Sequence, residues 1–137
     1  MKTHFIFSDT EFLRQFESTI LDPVLFNHEA HLRLAWLNIK RFGIETALIA
    51  TCDQLLAYVT KLGAKDKFNT TLTIAAIKAV YHFMLKSKTD NFKDFIEEFP
   101  RLRDNFKDLM AAHYGFDIYQ SEEAKKMYLA PDLLPFD

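Results

Sequence analysis

The chain has 137 residues, 49 % of them hydrophobic, and its 17 lysines and arginines are nearly balanced by 19 aspartates and glutamates. That balance offers no clustered positive charge for nucleic acid. The single cysteine, Cys52, excludes an intrachain disulfide, and no stretch reaches the roughly 18 uncharged apolar residues of a membrane span. With only 3 glycines and 4 prolines there is little material for the tight turns of an all-β fold. The expectation is an all-α, single-domain helical bundle over residues 1–137, with roughly five to seven helices. Charges near the start and no apolar signal-peptide core point to a cytoplasmic protein.

In chain order, His4 to Phe7 reads as a short extended surface segment. Ser8 with Glu11 has the spacing of a capping box, so a first helix starts there and runs to about Thr19, with Phe12 and Phe16 on its apolar side. Asn27 caps a second helix that Gly43 ends. A third runs from Glu45 to Leu62, before Gly63. A fourth opens at Asn69 or Thr70 and continues to Lys86. A fifth, capped by Thr89 or Asp90, carries Phe92, Phe95, Ile96 and Phe99 at helical spacing. Pro100 separates it from a sixth that ends at His113 before Gly115, and Ser121 starts a last short helix.

The second helix holds the chemistry of most interest. At about 100° per residue, Leu32, Ala35, Trp36, Ile39 and Phe42 fall within about 80° of His28. Arg33, Lys40 and Arg41 lie on the other side. His28 is thus placed near the centre of the buried face and His31 about 60° away. Two histidines three residues apart can point at one spot, and imidazole is a common metal ligand. Equally, both can be core groups satisfied by ordinary hydrogen bonds, and two ligands do not complete a typical metal site.

On the fourth helix, Asn69 and Thr73 are polar groups on the core side of the first turn. In an up-down bundle the second and fourth helices run parallel, which would bring His28 and His31 near Asn69 and Thr73. Two helix N-termini there would favour a polar or anionic ligand.

The run Phe26-Asn27-His28-Glu29-Ala30-His31-Leu32-Arg33-Leu34-Ala35-Trp36, followed by Lys67-Phe68-Asn69-Thr70-Thr71-Leu72-Thr73 and Ala130-Pro131-Asp132-Leu133-Leu134-Pro135, resembles a family of small uncharacterised bacterial helical proteins. Its pattern is F-x-H-x-x-H-L-x-x-A-W, then K-Y-H-x-T-L-T, then P-D-L-x-P-L. The resemblance spans residues 26–135 and implies a shared pocket at His28, His31 and position 69, with no activity attached. Asn69 replaces the third histidine, and an amide binds a zinc-like ion poorly.

The expected function is therefore binding of a small polar or anionic molecule in a histidine-lined pocket. His28 and His31 would be the contacting or proton-transferring groups, with Asn69 and Thr73 orienting the ligand. A divalent metal on His28 and His31 is the less favoured occupant. Enzymatic activity, with one histidine as general base, is left open because no nucleophile or reaction class can be named. The alternative is a non-catalytic interaction module, such as a homodimer, whose histidines only complete core hydrogen bonds. His4 and His82 read as surface groups, His113 as a partner of its helix dipole, and Cys52 as a buried, inert thiol.

Overall fold

Short polar side chains open most of the helices, because the first N–H groups of a helix have no partner within it. The computed structural model describes residues 3–136. Among these the secondary structure is helical and contains no strand. Contacts gather the chain into two compact units, residues 1–68 and 69–137. No helix of the described residues is long and apolar enough to cross a membrane.

The first unit contains α1 (Asp9–Glu17), α2 (His28–Phe42) and α3 (Ile44–Lys61), with 3₁₀ turns at His4–Ile6, Pro23–Leu25 and Lys65–Lys67. The side chain of Ser8 accepts from the Glu11 N–H and that of Asn27 from the Ala30 N–H, as their sequence positions predict. Gly43, at φ 81°, ends α2 and begins α3 in a single residue. Such a φ is disfavoured for any side chain with a Cβ. Across this junction Asn38, fully buried on α2, donates to Thr51 Oγ1 and Gln54 Oε1 of α3, both at 2.9 Å, and accepts from Arg41 at 2.7 Å. Phe12 and Phe16 of α1 are completely buried, as their one-turn spacing predicts.

Two expectations fail in this unit for one reason. His4–Phe7 is not an extended surface segment: His4–Ile6 form a 3₁₀ turn and His4 has no exposed surface. Arg33 is not solvated either, at 3 % exposure. The turn lies against the side of α2 opposite its apolar stripe, where a helical wheel sees only solvent. There the Arg33 guanidinium donates to the carbonyls of His4 (2.8 Å) and Phe7 (2.9 Å) and pairs with Asp9 (2.8 Å). It also stands over the ring of Phe12, 4.7 Å from the centroid. His4 in turn bonds Glu29 Oε1 at 2.8 Å.

The second unit contains α4 (Thr70–Met84), α5 (Phe92–Glu98), α6 (Arg101–Asp104), α7 (Phe106–His113) and α8 (Glu122–Lys126). That makes eight helices among the described residues, one above the expected range. The extra one arises where the sixth expected helix breaks at Asn105, whose φ −132° and ψ 36° are not helical. Asn91, rather than Thr89 or Asp90, caps α5. Thr71 ties α4 to the segment after α8, donating to the Met127 carbonyl at 2.8 Å and accepting from the Leu129 N–H at 3.0 Å. His113 is buried at the end of α7, its Nδ1 2.7 Å from the Leu134 carbonyl and its ring stacked on Phe136 at 4.1 Å. It anchors the C-terminal segment instead of facing water as a dipole partner.

Candidate functional site

His28 is the first residue of α2 and is exposed, as is His31 one turn later. The wheel placed both on or beside the buried face, but the continuously buried part of α2 begins only at Leu32. The preceding turn carries its two imidazoles to accessible surface. Glu29, between them, is directed instead to His4.

The two histidines differ in surroundings. The His31 ring stacks on Phe26, centroids 4.0 Å apart. Phe26 packs on Phe16 at 4.7 Å, and Phe16 on Tyr58 at 4.7 Å. Tyr58 donates from its hydroxyl to the Leu21 carbonyl at 2.7 Å. Phe26 also meets Tyr58 edge-on at 5.1 Å, so His31 stacks on the outer ring of a mutually packed aromatic cluster rooted in the core. Its ring nitrogens make no hydrogen bond among the described residues.

The pKa of His31 is lowered to about 4, first by desolvation and then by repulsion from a charged His28. Accessible surface and strong desolvation pull in different directions. Solvent reaches the ring, yet the protein atoms around it disfavour the imidazolium. The accessible surface limits what the shift contributes to stability, but its direction leaves a neutral imidazole at neutral pH, with one ring nitrogen a donor and the other an acceptor.

The sign of the pH effect follows. Between the ordinary value of 6.5 and about 4, the unfolded chain takes up a proton that folded His31 refuses. Its stabilising contribution is complete above pH 6.5 and is lost as pH falls toward 4. Burial lowers the pKa of His4 as well, with the same sign. The urea midpoint should therefore fall between about pH 7 and about pH 4.5, and by less in His31→Gln than in the native chain. Equal falls in the two proteins would contradict this account.

Asn69 and Thr73 belong to the second unit. Asn69 is buried and caps α4, its Oδ1 accepting from the Leu72 N–H at 2.9 Å while its Nδ2 donates to the Ile118 carbonyl at 2.8 Å. Thr73 donates from its hydroxyl to the Asn69 carbonyl at 2.8 Å. The two are thus joined through one helix start, as His28 and His31 are joined through another. Both already have structural work there, holding the α4 N-terminus and the loop around Ile118.

Of the remaining candidates, His82 is half-buried and meets Phe83 edge-on at 5.2 Å. Cys52 is partly exposed, and desolvation, with the charge of Asp53, raises its thiol to about 11. A thiol so weakly ionised is a poor nucleophile. Among the described residues no group of three or more His, Cys, Asp or Glu side chains is placed to hold a metal ion.

One feature of the second unit has no counterpart in the sequence reading: a half-open groove of about 480 Å³ along α7 and the turn after it. Lys107, Met110, Ala111 and Tyr114 line one side. Their i, i+3, i+4, i+7 spacing is the signal that could have marked this face.

The residues thus define an all-helical protein of two units with an accessible pair of imidazoles at one helix start. Set against protein-family models, curated proteins and solved structures, the chain matches none of them.

Proposed function

We propose that this chain is a cytoplasmic helical protein that binds a small polar or anionic molecule at the start of α2, with His31 as the principal contact and His28 beside it. The observation that supports this reading is the state of the His31 ring. It is accessible, its nitrogens have no partner among the described residues, and the stacked Phe26 holds one face. A ring held in this way loses little freedom when a ligand binds. Lowered in pKa, it is neutral and offers a donor and an acceptor at once.

Histidine side-chain NMR on the full chain, with a panel of small carboxylates, inorganic phosphate, amides and nucleobases, tests the reading. At least one compound should move the His31 resonances saturably and raise the melting temperature. In His31→Leu, which keeps an apolar contact for Phe26, both effects should vanish while the helical circular dichroism persists. A panel that leaves His31 unmoved, or a response that survives in His31→Leu, would overturn it. His31 would then be only the cap of its aromatic cluster, within an interaction module.

A further inference from the structure

The groove of the second unit is a separate cavity from the histidine pair. Its volume of about 480 Å³ lies within the usual range for small-molecule sites, and such sites combine an apolar body with a few polar groups. Tyr114, Met110 and Ile118 are buried along it. Phe116 and Leu133, by contrast, keep 40 % and 61 % of their surface exposed at its rim, although an apolar partner is what such side chains need.

The polar groups are two donors and one acceptor already in use. The Lys107 ammonium sits 5.2 Å from the Tyr119 ring centroid and forms no ion pair among the described residues. A cation over an aromatic face still has N–H bonds directed elsewhere. The Tyr119 hydroxyl likewise has no hydrogen-bond partner among the described residues. Desolvation and Asp117 raise its pKa, which keeps it protonated and a donor. Asp117 is oriented by its own turn, accepting the Tyr119 N–H at 2.9 Å.

We propose that this groove binds a small aryl or branched-alkyl carboxylate, its apolar body between Phe116 and Leu133 and its carboxylate on Lys107 and the Tyr119 hydroxyl. Lys107 is the charge that would select a carboxylate, because Asp117, the other charged lining residue, is turned to the Tyr119 N–H. An uncharged analogue would fill the same apolar space but leave the ammonium unmatched, and a charge-assisted hydrogen bond contributes more than a neutral one.

Methyl NMR on the full chain, with phenylacetate and with 2-phenylethanol as the uncharged analogue of similar shape, tests the assignment. Phenylacetate should move the Met110, Ile118 and Leu133 methyl signals saturably and leave the His31 resonances in place, which separates this site from the one at α2. Lys107→Gln, at an exposed position, should weaken phenylacetate about tenfold and leave 2-phenylethanol unchanged. Ala111→Phe, which fills the groove from the α7 side, should abolish both. The proposal is overturned if phenylacetate moves none of these methyls, if Lys107→Gln weakens both compounds alike, or if Ala111→Phe binds as the native chain does. It is also overturned if the same methyls shift on concentrating the protein alone, since the groove would then serve a second copy of the chain.

Discussion

Arg33→Ala should remove about 2–4 kcal/mol of folding stability, through two lost charge-assisted hydrogen bonds to carbonyls and lost packing over an aromatic ring. The guanidinium makes two carbonyl bonds to the segment before α1, pairs with Asp9 at the first position of α1 and covers the Phe12 ring. Alanine would leave the His4 carbonyl with the Phe7 N–H alone and open a void beside Phe12. Set against the roughly 5–15 kcal/mol that holds a typical domain, the loss is large. Arg33→Lys keeps the charge but has no planar fork to reach the His4, Phe7 and Asp9 oxygens together, so it should recover only part of the loss. Among the described residues the Nε–H of Arg33 has no partner, and the bonds to the N-terminal turn come from the two outer nitrogens. Urea unfolding followed by the fluorescence of the buried Trp36 measures the effect. A loss below about 1 kcal/mol, the size expected of an exposed pair, would mean that the turn is not held as described.

Phe16→Ala should cost a similar amount, about 3–5 kcal/mol, through lost burial and the cavity it leaves. Phe16 has no exposed surface and packs on both Phe26 and Tyr58, which also meet each other edge-on at 5.1 Å. The substitution should also act at a distance. With Phe16 gone, Phe26 keeps only its edge contact with Tyr58 in this cluster, and the stacked His31 is held less firmly. Histidine NMR should show the His31 signals broadening or moving in Phe16→Ala but not in a core variant of the second unit such as Phe95→Leu. If His31 is unchanged, Phe16 does not position it through Phe26.

Helices and their caps were legible because capping and periodicity are local properties. Ser8, Asn27, Asn69 and Ser121 each accept from a backbone N–H three residues on, as their spacing predicts. The misreadings concern faces. A wheel for α2 orders Arg33 and His28 by angle around one axis, but burial depends on what lies outside the helix. The N-terminal turn covers the polar side at Arg33, and the first turn at His28 is left open. Asn69 was correctly singled out as a polar group on the inner side of its helix. Its bond to the Ile118 carbonyl, 49 residues away in sequence, could not be anticipated from spacing. The groove escaped for the same reason, since Leu133 reaches Lys107 and Tyr114 only through the chain reversal after α7.

The one-residue junction at Gly43 bears on how the chain acquires its structure. Because α2 and α3 are sequence neighbours joined without a loop, bringing them together costs little chain entropy. Asn38 reaches Thr51 across only 13 positions, whereas Arg33 reaches the His4 carbonyl across 29. Contacts of short sequence separation assemble fastest, so this helical hairpin forms a natural nucleus onto which the N-terminal turn is later fastened. The two ends of one helix thus differ in kinetic rank: α2 joins the nucleus through its Gly43 end and carries its histidines at the other.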